Sequence, residues 1–339
     1  MAVSDPLIAL DAMGGDNAPT EIVLGAVTAA RDLGLRVALV GRREEIIAQV
    51  SRHGKMPETV TNVEAPEVIA MDEHPAQAAR HKKDSSIVVG LRLLKRGQAD
   101  AFVSAGNTGA VMAGAIMYLG RVRGIERPSL VGLMPLSGRL TVFLDVGANA
   151  DAKPLYLLQF AQMAAAYMEK VWRVQRPSVA LLNIGEEASK GNQLALEAYE
   201  LLSRSGLNFI GNLEGRDVPF GKADIIVTDG FTGNVVVKTM EGMADYVMGQ
   251  IRSAIKSRPW YMAAGAVLLP AFAGVRKKVD YREYGAGPLL GVNGLVFIGH
   301  GRSDARAIHS ALRVASEAAQ AGMMDAIREM APPRVSSGA

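Results

Sequence analysis

Ala101-Phe102-Val103-Ser104-Ala105-Gly106-Asn107-Thr108-Gly109 is the stretch on which the fold turns. A short apolar run stops at serine, a Gly/Asn turn follows, and the residues beyond it fall back into helical spacing. That is a buried strand feeding a helix through a polar turn. Glycine lets the backbone bend sharply and approach a ligand, while serine, threonine and asparagine donate hydrogen bonds and cap the helix to come.

The same grammar recurs in both directions along the chain. Leu7 to Leu10 leads into Asp11-Ala12-Met13-Gly14-Gly15-Asp16-Asn17, and Thr141 to Leu144 leads into Asp145-Val146-Gly147-Ala148-Asn149-Ala150-Asp151. Val179 to Leu182 runs into Asn183 through Asn192, a loop that holds Lys190-Gly191-Asn192, and Ile225 to Val227 runs into Thr228-Asp229-Gly230-Phe231-Thr232-Gly233-Asn234. Alternating strands and helices predict an α/β protein with a mostly parallel open sheet between two helical layers. Ligands of such sheets bind beyond the carboxyl ends of the strands, so the five turns are expected to line one crevice. Helix N-termini there present unpaired N–H groups, which suit a phosphate-like anion. Any single turn is explained as well by ordinary turn chemistry. Five together favour a ligand.

The totals set the class. The 339 residues are 49% hydrophobic and 21% charged, enough to bury a large core and too balanced for disorder. No Pro/Ser linker or charge block divides them, so residues 1–331 read as one α/β domain with an apolar excursion at about 254–284, followed by a disordered tail over 332–339. A net charge of +3 lacks the field of a nucleic-acid binder, and no nucleic-acid partner is expected. The chain has no cysteine, which excludes disulfides, thiolate zinc sites and a thioester on the protein itself. Met1 to Asp5 show no secretion signal, which points to the cytoplasm.

Several chemistries have no motif here. A Walker A loop, the Gly-x-Ser-x-Gly elbow and His-Glu-x-x-His are absent. Gly285-Ala286-Gly287-Pro288-Leu289-Leu290-Gly291 has the wrong spacing for a dinucleotide fingerprint. The five histidines show no ligand spacing, so no metal and no cofactor is expected. Asp11, Asp16, Asp145 and Asp229 would repel phosphate if ionised, and are expected to orient loops, to cap helices or to accept from protonated phosphate.

Ala9 through Asp16, Ser104 through Gly109, Asp145 through Asn149 and Thr228 through Asn234 together resemble the bacterial phosphate acyltransferases of the PlsX family, in order and in spacing. Lys82-Lys83-Asp84-Ser85-Ser86 and Lys190-Gly191-Asn192 extend the resemblance over nearly the whole chain. Glu186-Glu187-Ala188-Ser189 departs from the Thr-Glu-Asp-like stretch of relatives, although Lys190 is retained. The resemblance implies a fold similar to isocitrate dehydrogenases and phosphotransacetylases. It also implies a reaction in which an acyl carrier protein thioester and inorganic phosphate give acyl phosphate and free carrier protein. The product would pass to a membrane glycerol-3-phosphate acyltransferase for phospholipid synthesis.

Such a reaction needs no protein nucleophile, because phosphate attacks and thiolate leaves. The protein must hold phosphate near the carbonyl and donate to the developing oxyanion. Residue type alone leaves Lys190 a solvated lysine, and Asn234 open between a helix cap and a donor to phosphate or the carbonyl oxygen. The resemblance turns Lys190 to the phosphate or the oxyanion, and Lys190 and Asn234 are the expected catalytic pair. Asp11, Gly14, Gly15, Asp16, Ser104, Gly106, Asn107, Thr108, Gly109, Asp145, Asn149, Asp229, Gly230, Thr232 and Gly233 are the expected phosphate and substrate contacts. Lys82 and Lys83 either dock the carrier protein or form a solvated face.

From Trp260 to Val275 there is no charged residue, with cations on both sides. The run is shorter than the roughly twenty residues of a spanning helix, and Gly265, Pro270 and Gly274 interrupt it. Trp260, Tyr261, Leu268, Leu269 and Phe272 are expected to meet a second subunit, the headgroup layer of the inner face of the cell membrane, or both, in a homodimer. Three alternatives stand beside this reading: a phosphotransacetylase-like enzyme acting on coenzyme A thioesters, a non-catalytic phosphate or lipid sensor, and a dehydrogenase.

Overall fold

The computed structural model describes residues 5–265, 267–268 and 281–330. Its strands divide between two sheets. The first contains β1 (Leu7–Asp11), β2 (Arg36–Gly41), β3 (Val60–Glu64), β4 (Ala101–Ser104), β5 (Ser129–Leu130), β11 (Ala286–Leu290) and β12 (Leu295–Gly299), in the order β3-β2-β1-β4-β12-β11-β5. From β3 to β12 all pairings are parallel, and β11 pairs antiparallel with both its neighbours. The second sheet holds β6 (Gly132–Leu136), β7 (Arg139–Leu144), β8 (Ser178–Asn183), β9 (Asn208–Glu214) and β10 (Ile225–Val227), in the order β6-β7-β10-β8-β9. Only the β6–β7 hairpin is antiparallel there.

The α/β, mostly parallel character matches the reading of the sequence; the single open sheet is instead two. The chain crosses between them at Val131. Leu130 pairs with Leu289 in the first sheet, and Gly132 already pairs with Phe143 in the second. No linker marks the crossing because one apolar cluster runs through both halves, from Leu10 of β1 through Phe160 to Leu181 of β8.

Among the described residues the helices include α1 (Thr20–Leu33), α2 (Arg43–Arg52), α3 (Pro75–His81), α4 (Ser86–Lys95), α5 (Thr108–Gly114), α6 (Pro154–Lys170), α7 (Gln193–Ser203), α8 (Gly230–Lys256), α9 (Ala305–Gln320) and α10 (Met323–Met330). The polar turns start them as expected: Ser85, Asn107, Asn192, Asp229 and Asp304 each cap a helix by accepting from a backbone N–H three residues on. Helix α8 is unlike the rest. Of its 27 residues only Gly230 and Gly233 are buried, with Val236, Val237 and Met240 packed partly buried against the core, so a helix of roughly 40 Å is anchored along its first three turns.

Candidate functional site

In the first sheet β1 and β4 are neighbours at the point where the strand order reverses, and their turns meet there. Asp11, fully buried, accepts from the Ser104 hydroxyl at 2.7 Å and from the Met13 N–H at 3.1 Å. Ser104 Oγ in turn accepts from Gly106 N at 3.0 Å, so one carboxylate sets both turns. Burial pushes the Asp11 carboxyl above the ordinary range, against donors from Ser86, Ser104, Met13 and Gly14. Gly14 lies so close that a Cβ there would sit 2.2 Å from Asp11 Oδ2 and 2.7 Å from Gly106 N.

Asn107 caps α5 by accepting from Ala110 N at 3.0 Å, while its amide donates to the carbonyls of Ala70, Met71 and Glu73. The side chain expected on phosphate is thus committed to strapping residues 70–73 over the site. What the turn leaves for an anion are the N–H groups of Thr108 and Gly109, which take no partner among the described residues. Lys82 is also committed: its ammonium lies 2.5 Å from Glu73 and donates to the Val68 carbonyl at 2.8 Å. Lys83 is exposed.

In the second sheet β7, β10 and β8 run parallel side by side, so their turns open on one side. The Asp145 carboxylate takes up the donors of its own turn: Gly147 N at 3.2 Å, Ala148 N at 3.0 Å and Asn149 N at 2.6 Å. It also accepts from Asn149 Nδ2 and from Leu130 N. These N–H groups, which in sequence look like an anion cradle, are turned inward. Burial nonetheless raises the Asp145 carboxyl, with those donors opposing it.

Helix α8 is pressed against this turn. Gly230 N donates to the Asn149 carbonyl at 2.7 Å, and a Cβ on Gly233 would come within 1.9 Å of the Asp145 carbonyl oxygen. Asp229 accepts from Thr232 N and from the Thr232 hydroxyl, and Gly233 N donates to the Asp229 carbonyl. Asn234 Nδ2 donates to the Val146 carbonyl at 3.0 Å, which leaves its second N–H and its carbonyl oxygen for other partners. Lys190 is exposed in the loop after β8, where its own carbonyl accepts from Asn183 Nδ2 at 3.0 Å. Among the described residues its ammonium has no acidic partner, and no bond joins it to Asn234.

Two stretches at the site carried no expectation. The turn after β12 reaches both halves: Gly301 O accepts from Asp16 N at 2.7 Å, and Arg302 lies 3.6 Å from Glu241 of α8. Burial holds His300 below the ordinary histidine range, with Arg302 and Lys238 pushing the same way and Glu241 and Asp16 opposing. Its signal was present, since Leu295 to Gly299 followed by His300-Gly301-Arg302-Ser303-Asp304 repeats the strand–turn–cap grammar. The 70–73 strap had none, because its place is set by Asn107 from far along the chain.

In the excursion, Trp260, Tyr261 and Leu268 are exposed, and Arg258 lies over both aromatic rings. Leu269, Phe272 and the tail 332–339 lie outside the described residues. No described helix is long and apolar enough to cross a membrane, and no group of three or more described His, Asp or Glu residues could hold a metal ion.

Parallel strands ending in Gly-rich, helix-capping turns, arranged in two sheets, define an α/β fold that solved structures share. A phosphotransacetylase from Streptococcus pyogenes has this fold, at a TM-score of 0.62 and 21% identity over 94% of this chain and 95% of its own. A 4-hydroxythreonine-4-phosphate dehydrogenase from Klebsiella pneumoniae has it at a TM-score of 0.56 and 12% identity, over 94% and 99%. Sequence places the chain more narrowly: residues 7–326 match the family described as fatty acid synthesis protein. Curated relatives include a phosphate acyltransferase from Desulfitobacterium hafniense, 49% identical over 96% of this chain and 97% of its own, and one from Heliobacterium modesticaldum, 51% identical over 97% and 98%. The chain belongs to this family of acyl-transferring enzymes.

Proposed function

We propose that this protein transfers a long-chain acyl group from the thioester of an acyl carrier protein to inorganic phosphate, giving acyl phosphate and the free carrier thiol. The observation that carries this reading is how charge is arranged at the turns. Asp11, Asp145 and Asp229 are each taken up by nearby N–H and hydroxyl donors, so three of the four carboxylates that would repel phosphate are occupied, and Asp16 alone of the four is exposed. The Lys190 ammonium and the N–H groups of Thr108 and Gly109 remain for an anion.

A phosphate oxygen attacks the thioester carbonyl carbon, a C–O bond forms, and the C–S bond breaks with its electron pair leaving on the thiolate. Lys190 and the second N–H of Asn234 stabilise the oxyanion between those steps. One such donor is worth about 3 kcal/mol of barrier. No metal or cofactor enters this scheme. The product is apolar at one end and anionic at the other. The exposed Trp260, Tyr261 and Leu268 suit its delivery to a membrane glycerol-3-phosphate acyltransferase from a homodimer resting on the inner face of the membrane.

The test is to incubate the protein with palmitoyl-acyl carrier protein, with and without phosphate, and to follow free carrier protein and acyl phosphate. Release should depend on phosphate, and Lys190→Ala and Asn234→Ala, checked for folding, should each lower it by about tenfold or more. Normal rates in either variant remove that residue from the chemistry. The fold shared with phosphotransacetylases favours coenzyme A thioesters as the second reading, and turnover of acetyl-coenzyme A in preference to the carrier thioester would select it. Binding of carrier protein and phosphate without turnover would make the protein a sensor.

A further inference from the structure

Residues 120–128 form a basic segment that the turns described above do not use, Gly120-Arg121-Val122-Arg123-Gly124-Ile125-Glu126-Arg127-Pro128. It is a rigid loop. Val122 and Ile125 are buried beneath it, and Val122 N donates to the Gly291 carbonyl at 2.8 Å. Gln159 of α6, itself buried, clamps it from below by accepting from Glu126 N and donating to the Gly124 carbonyl, both at 2.8 Å. The Arg121 guanidinium closes the loop on the Glu126 carbonyl.

Arg123 and Arg127 take no part in this scaffolding. Both are exposed, and among the described residues neither makes a hydrogen bond or an ion pair. The loop they stand on continues directly into the site: Asn149 Nδ2 donates to the Pro128 carbonyl at 2.8 Å, and Leu130 N donates to Asp145 at 3.1 Å. A fixed backbone presenting two unpaired guanidinium groups at the rim of a reaction centre is prepared for an anionic partner. The backbone need not reorder on binding, and the two positive charges suit an acidic surface.

We propose that Arg123 and Arg127 are the docking platform for the acidic surface of the carrier protein that brings the acyl thioester. This rests on the carrier-dependent reading above, and it moves the docking role away from Lys82, whose ammonium is held by Glu73 and Val68. Charges at a rim act on encounter and on its salt dependence more than on chemistry.

The experiment is steady-state kinetics with palmitoyl-acyl carrier protein at two ionic strengths, for the wild type, the double charge reversal R123E/R127E and the charge-preserving R123K/R127K. Neither guanidinium supports the loop, so both variants should melt with the wild type. The reversal should raise KM for the carrier thioester by about tenfold or more with kcat within about twofold, and should flatten the salt dependence. R123K/R127K should stay near wild type. An unchanged KM in R123E/R127E overturns the proposal, and so does a fall in kcat at constant KM, which would put the arginines in the chemistry. Loss of binding to anionic phospholipid vesicles with KM unchanged also overturns it, by giving the platform to lipid. A wild type that consumes no carrier thioester at all refutes the proposed function itself, which separates the two failures.

Discussion

Gly14 and Asp11 show how tightly a single residue is constrained at this site. Any side chain at Gly14 must displace either the Asp11 carboxylate or the Gly106 backbone, since its Cβ would fall 2.2 Å and 2.7 Å from them. Gly14→Ala should therefore cost about 1–3 kcal/mol of stability, read by urea unfolding. Its kcat/KM for phosphate should fall by more than the melting temperature alone explains, because the displaced groups set the Thr108 turn. Asp11 yields a prediction with a sign. Its carboxyl is raised by burial, so what it contributes to stability is fully present below about pH 4 and is lost as pH rises through its own higher value. Asp11→Asn does not ionise, and the variant's melting temperature relative to wild type should climb as pH rises above about 4. A relative melting temperature that falls over this range would show that the donors around Asp11 outweigh its burial.

At the scale of elements, the link between α5 and the strap rests on Asn107. Asn107→Ala removes the cap of α5 and the three bonds to the carbonyls of residues 70, 71 and 73, and should cost about 2 kcal/mol. Asn107→Asp keeps the cap acceptor but turns a carboxylate towards those carbonyls. If the strap matters as much as the cap, Asp should be no better than Ala in chemical denaturation, whereas recovery of most of the stability by Asp would reduce Asn107 to a cap. These elements were visible in the sequence one at a time: each apolar run, each Gly-rich turn and each capping Ser, Asn or Asp is a local signal. Which donors stay open was not visible. Gly147, Ala148 and Asn149 look as available as Thr108 and Gly109 until Asp145 is seen to fold back onto them.

At the scale of the whole molecule, α8 is the element the compact core explains least. Phe231, Val235, Met243, Tyr246 and Val247 are exposed along it, so the apolar surface starts well before the excursion expected from residue 254. If this surface serves a second subunit or a membrane, Met243→Lys with Tyr246→Lys should leave the melting temperature of the isolated subunit nearly unchanged. The same pair should lower the sedimentation coefficient, or reduce recovery with anionic phospholipid vesicles, by a factor of several. Unchanged values in both assays would leave the arm without either role.

By itself the sequence determined the alternation of strands and helices, the turns that end them and the caps that start them, because these depend on neighbours a few residues apart. It also carried enough motif to place the chain in its family. Only the tertiary structure decided that the strands form two sheets, that Lys82 and the Asn107 side chain are occupied, and that the Asp145 turn satisfies itself. It likewise brought the turn after β12 to α8. The physical reason is that hydrogen bonds at a buried site are competitive. Most donors there go to acceptors the fold brings near, and Asp11 finds Ser104, and Asn107 the carbonyls at 70–73, only once distant strands lie side by side.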